Sequence, residues 1–178
     1  MSRSRSMISN GTLLKSSPIS LDILREDDLS PHDPPLQIIP HATRRLERLS
    51  LRASPEAMGD IAIHLSRPAP ILEHLLMECG CGFRPTSHFV LTPSLFSGNL
   101  SSLRFLHLNY VRTELPWRNM VNLMSFTLCN IPLGDISIGQ LLHFFECAPH
   151  PKNVELRSAT PTSGAQGGRW YHWHIWSG

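Results

Sequence analysis

With 178 residues, 41% of them hydrophobic, the chain is long enough for one domain with a real core and too apolar to be disordered throughout. Its formal net charge of +2, from 16 basic and 14 acidic residues, gives no basis for recognising nucleic acid or an anionic membrane through bulk charge. No run approaches the roughly 18 to 20 apolar residues of a membrane span, and the start, MSRSRSMISNGTLL, lacks the apolar stretch of a secretory leader, so cytoplasm or nucleus is the expected compartment.

Residues 1–17 are polar and Ser-rich, with Arg3 and Arg5 in an RSRS start, and read as a flexible N-terminus. After Pro18, Ile19, Leu21 and Ile23 alternate with Ser20 and Asp22, which is the period of a half-buried strand. Arg25 to Asp33 forms a charged loop. Asp33 followed by Pro34 and Pro35 has the form of an N-cap with proline at the first helical position, opening a short helix to Ile39 that Pro40 interrupts.

From Leu46 onward one apolar pattern, L-x-x-L-x-L, is written five times: Leu46, Leu49, Leu51; Leu72, Leu75, Met77; Leu103, Leu106, Leu108; Leu123, Phe126, Leu128; and a weaker Pro151, Val154, Leu156. A lone strand of this kind cannot bury its apolar side and needs a neighbouring copy alongside. The first positions lie 20 to 31 residues apart, close to the leucine-rich-repeat length of roughly 20–29. The expected fold is therefore α/β: a short, irregular leucine-rich-repeat-like solenoid over residues 18–160, with parallel strands on the concave side and short helices or loops on the convex side. The Asn or Cys that would stand at position 9 is instead Ser54, Gly80, Val111, Ile131 and Ala159, so other bonds must hold the turns.

Between the strands, Ser54, Pro55 and Glu56 start a helix whose Met58, Ile61 and Leu65 form one apolar face and which Arg67 and Pro68 end. Residues 80–98 read as the longest irregular connection, with one helical turn near Thr92 and Pro93. Ser137 and Gln140 form a capping-box pair, and behind it Ile138, Leu141, Leu142, Phe145 and Ala148 make an apolar stripe ending at Pro149. The fifteen prolines suit short elements and argue against a helical bundle. Cys79, Cys81, Cys129 and Cys147 show neither redox nor zinc spacing and read as reduced thiols.

The segments LSRPAPILEHL, LTPSLFSGNLSSLRFLHL, ELPWRNMVNLMSFTL and ISIGQLLHFFECAPHPKNVELRSATPTSGAQ resemble the leucine-rich-repeat region of fungal, mushroom-type F-box domain proteins, over about residues 15–167. The LPW turn (Leu115, Pro116, Trp117) and the PAP turn (Pro68, Ala69, Pro70) carry the resemblance together with the leucines. It implies a protein-protein interaction module, the substrate-recognition part of an F-box ubiquitin-ligase adaptor, which recruits a protein substrate and is not an enzyme. No Leu-Pro-x-Glu opening or helical run precedes Pro18, so the F-box is missing here, and a Skp–cullin scaffold is an expected partner only of a longer form. From about Gly168 the sequence turns to RWYHWHIWSG, with Trp170, Trp173 and Trp176 where another Leu-rich strand would follow. Residues 161–178 therefore read as a flexible or aberrant tail, and a truncated, non-functional repeat fragment is the first rival reading.

If positions 1, 4 and 6 of each unit point inward, positions 3, 5 and 7 line the concave sheet. They are Arg48, Ser50 and Arg52; His74, Leu76 and Glu78; Phe105, His107 and Asn109; Ser125, Thr127 and Cys129; and Asn153, Glu155 and Arg157. Apart from Cys129, these form the expected protein-binding face, with Phe105 and Leu76 as its apolar contacts. Cys129 with His107 is the pair a Cys/His hydrolase would need, without an evident orienting acid. No G-x-S-x-G, H-E-x-x-H or P-loop is present, His172 and His174 lack further ligands for a metal, and no catalytic residue, metal or cofactor is expected.

Overall fold

The alternation at Ile19, Leu21 and Ile23 forms strand β1 (Ile19–Leu24), and the five leucine-patterned triplets lie on strands β2 (Leu46–Ala53), β3 (His74–Cys79), β5 (Phe105–Asn109), β7 (Ser125–Ile131) and β8 (Asn153–Ser158) or immediately before them. The structure is a computed structural model that describes residues 17–24, 39–80, 89–92, 94–113, 119–131, 138–148, 151–158 and 172–176. The expected flexible N-terminus up to residue 16, the charged loop, the Asp33 cap, the LPW turn and the Ser137 cap lie outside these residues. The fold is mixed α/β, with few helices. Six strands pair in parallel in the order β1-β2-β3-β5-β7-β8, and β9 (His172–Trp176) adds to β8 antiparallel. The segment beyond residue 160, set apart as a tail in the sequence, thus supplies one strand of the sheet.

Register makes the core continuous. Leu21, Leu49, Leu75, Leu106, Phe126 and Val154 are lateral neighbours, as are Ile23, Leu51, Met77, Leu108, Leu128 and Leu156. The first positions Leu46, Leu72, Leu103 and Leu123 are fully buried behind them. Each buried leucine contributes about 1.5–3 kcal/mol relative to an exposed one, so these columns dominate the stability of the sheet.

One bonding scheme recurs where the strands begin. The amides of Leu72, Leu103 and Leu123 donate to the carbonyls of Ala69, Leu100 and Met120, closing a tight turn before each strand. The next amide crosses to the neighbouring unit: Glu73 to Glu47, Arg104 to Glu73, Met124 to Arg104 and Lys152 to Met124, at 2.8–2.9 Å. The PAP turn read from the sequence is the first of these, with Ala69 buried at its centre.

The apolar side of the sheet is covered by the connections. Helix α1 (Pro55–His64) is capped as its sequence demands: Ser54 Oγ accepts from the Ala57 amide at 3.2 Å and proline stands in the first turn. Met58, Ile61 and Leu65 are fully buried. Within the 80–98 connection, β4 (Phe89–Leu91) pairs in parallel with β6 (Val111–Thr113), forming a two-stranded sheet that the sequence did not indicate. The turn Leu95–Gly98, left-handed at Phe96 (φ 53°) and Ser97 (φ 57°), buries Phe96, whose amide donates to Leu65 O. Residues 39–42 are helical with Pro40 among them, the expected helix ahead of them lies outside the described residues, and Thr43 Oγ1 donates to Ile39 O at 2.7 Å.

Helix α2 (Ile138–Cys147) corrects the expected stripe. Leu142 is 60% exposed, whereas Phe144 is fully buried and its ring lies 4.5 Å from that of Phe126. Leu141, Phe144, Phe145 and Ala148 are spaced i, i+3, i+4, i+7, the true face of a 3.6-residue period, and Leu142 falls outside it.

Other bonds do replace the position-9 side chain. Tyr110 and Asn130, both one residue past the last outward position, have φ of 54° and 55°, and Gly80 has 92°. This left-handed step shifts the alternation by one residue, so that Val111 and Ile131 turn inward and are buried. A left-handed non-glycine residue costs roughly 1–2 kcal/mol. The Asn130 amide offsets this by donating to Asn109 Oδ1 at 2.7 Å, and Asn109 in turn donates to Glu78 Oε1 at 3.0 Å. Tyr110 N to Cys129 O and Gly80 N to Ala53 O complete the turns.

Two outcomes follow from this packing. Phe144→Ala is expected to lose about 3–5 kcal/mol of unfolding free energy, against about 0.5 kcal/mol or less for Leu142→Ala, as measured by urea denaturation. Asn109→Ala, which removes both the acceptor for Asn130 and the donor to Glu78, is expected to cost about 1–2 kcal/mol. Asn122→Ala, which removes an exposed bond to Ser101 O, should cost less in the same assay.

Candidate interaction face

The register that buries the triplets also aligns what lies between them. Positions 3, 5 and 7 of the five units stand in three rows across the polar side of the sheet, and β1 extends each row by one residue. The first row runs Ser20, Arg48, His74, Phe105, Ser125, Asn153. The middle row is Asp22, Ser50, Leu76, His107, Thr127, Glu155, and the third is Leu24, Arg52, Glu78, Asn109, Cys129, Arg157. All fourteen residues expected on this face are there together. Ser20, Asp22 and Leu24 were not assigned to it, although the Ser-Asp alternation against Ile19, Leu21 and Ile23 carried the signal.

Apolar contacts concentrate in the first two rows. The His74 and Phe105 rings stack with centroids 4.2 Å apart and planes 6° from parallel, and Phe105 remains 38% exposed. Burial, and next the charge of Arg48, lower the His74 pKa. Leu76 and Thr127 flank His107, whose pKa is lowered by burial despite the opposing pull of Glu78 and Glu155.

The third row is a chain of polar bonds. Arg52 Nε lies 3.2 Å from Glu78 Oε2, Glu78 accepts from Asn109, and Asn109 accepts from Asn130. Arg157 is held by Glu155 of its own strand at 2.6 Å. These ion pairs are largely solvent-exposed and each adds little stability. Their effect is to fix where the charges stand, with both signs interleaved.

Cys129 interrupts the pattern. It is 5% exposed, and it faces Asn109 across the strands while His107 lies one row away. Burial pushes its thiol pKa up and lowers that of His107. A thiolate–imidazolium pair needs both shifts in the opposite direction. Among the described residues no group of three or more His, Cys, Asp or Glu side chains is placed to hold a metal, and no helix is long and apolar enough to cross a membrane. Comparison with known proteins finds no matching family model, no matching curated protein and no matching solved structure.

The lowered pKa values of His74 and His107 set a pH dependence. The unfolded chain binds protons at these sites more readily than the folded one, so stability is complete above the ordinary histidine value of 6.5 and declines as pH falls below it. In urea titrations between pH 6.5 and about pH 5, the His74→Gln, His107→Gln double variant is expected to lose less stability on acidification than the parent chain.

Proposed function

We propose that the protein is a non-enzymatic protein-binding module of the cytoplasm or nucleus. In this reading the sheet is a short leucine-rich-repeat-like solenoid, and its three polar rows receive a protein partner, as the substrate-recognition part of an F-box ubiquitin-ligase adaptor does. The observation that carries the reading is the three rows themselves. Fourteen side chains from five consecutive units share one face, mixing aromatic, aliphatic and paired charged groups, with Arg48, Arg52, Phe105, Asn153 and Arg157 open to solvent. A face of this composition suits a protein surface, where aromatic and arginine anchors contribute most and a polar rim gives specificity. The fungal F-box resemblance of the sequence supports the same reading, and attachment to a Skp–cullin scaffold belongs to a form that carries an F-box.

The test is affinity purification of the tagged full chain from fungal cells, followed by mass spectrometry. At least one protein is expected to be enriched with the parent chain and depleted about tenfold or more by Thr127→Arg, a charged intrusion at the centre of the middle row. Co-purifying Skp and cullin subunits would favour the ligase assignment. Recovery of chaperones alone, or a partner set that Thr127→Arg leaves unchanged while the variant stays folded, would refute binding through this face.

A further inference from the structure

A second surface lies at the margin of the sheet where the strands begin. The residues that form the crossing ladder of amides, Glu73, Arg104, Met124 and Lys152, stand side by side just ahead of β3, β5, β7 and β8. Their side chains, with Val121 beside them, line an open groove of about 470 Å³. Its apolar lining is Met124, half-buried, and Val121, 51% exposed.

The cations around that lining are poorly satisfied. Arg104 directs Nε and Nη2 at the Met124 sulfur, at 3.4 and 3.1 Å, and a thioether is a weak acceptor. Its ion pair with Glu73 is 3.8 Å long, and the side chain is 46% exposed. Lys152 is exposed and has no acidic partner among the described residues. A carboxylate would accept from the Arg104 fork in a far stronger, charge-assisted geometry than the sulfur does.

We propose that this groove binds an extended acidic peptide of a partner protein, with the pattern acidic-x-apolar-x-acidic. Arg104 and Lys152 stand on either side of Met124, each separated from it by one strand spacing of roughly 4.8 Å. In an extended peptide, residues i, i+2 and i+4 point to one side. The apolar side chain then rests on Met124 and Val121 while the flanking carboxylates reach the arginine and the lysine. The groove borders the first of the three rows but shares no residue with them, so this reading does not depend on theirs.

The probe is fluorescein-labelled Gly-Glu-Ser-Leu-Ser-Glu-Gly, titrated with the full chain and followed by fluorescence anisotropy at low salt. It is expected to bind at least about tenfold more tightly than the same peptide with lysine in place of both glutamates, and the difference should shrink as salt is raised. Lys152→Glu and Arg104→Gln are each expected to weaken it about threefold or more. Thr127→Arg should leave it within about twofold, which separates failure here from failure of the face reading. Equal binding of the two peptides would overturn the proposal, as would no binding at about 1 mM chain or insensitivity to Lys152→Glu in a variant that melts like the parent. Binding only of a version with phosphoserine in place of glutamate would assign the groove to a different ligand and overturn it as well.

Discussion

The polar face of the sheet is placed by the lateral register of its parallel strands. A slip of one residue between neighbours would send each buried leucine to solvent and each polar side chain into the core. The apolar columns resist such a slip through the hydrophobic effect. The crossing amides at the strand starts resist it directly, because the carbonyls of Glu73, Arg104 and Met124 each accept from two successive amides of the next unit. The two restraints act at different points along each strand. Together they keep the three outward positions in line across units separated by very different lengths of connection.

Those connections do not share a common design. α1 links β2 to β3, α2 links β7 to β8, and the middle units are covered by β4, β6 and the turn around Phe96. What the connections have in common is the side chains they deliver: Met58, Ile61, Phe96, Val111 and Phe144 all end fully buried against the sheet. Volume and apolarity are conserved between layers while backbone form is not, which is how a close-packed interior accommodates irregular chain lengths.

The sheet was legible in the sequence because a strand's side-chain period is two and the apolar triplets mark it directly. The same logic placed fourteen residues of the polar face, and the Ser54–Pro55 cap located α1. What was not legible has identifiable causes. β4 and β6 are three residues each, too short to show a period. In Leu141-Leu142-His143-Phe144-Phe145 several apolar residues are adjacent, so more than one stripe can be drawn, and only contact with Phe126 selects the one containing Phe144. Nothing in the type of residue at Tyr110 announces a left-handed backbone, whereas Asn130 and Gly80 belong to the residue types that tolerate it. In His172-Trp173-His174-Ile175-Trp176 the abrupt change of composition obscures the strand pattern that forms β9. The apolar pattern does not mark the rim groove, because Glu73, Arg104, Met124 and Lys152 occupy position 2, which it leaves unspecified, and Val121 lies ahead of the triplet.

The crossing amides have a wider consequence. Because the alignment of neighbouring units is secured by main-chain bonds and inward side chains, the outward positions apart from Asn109, which bonds Asn130 and Glu78, contribute little to holding the frame. Their chemistry is free to vary independently, as pegs can be exchanged on a board whose holes stay fixed. A scaffold of this kind can change what it recognises without first solving a new folding problem.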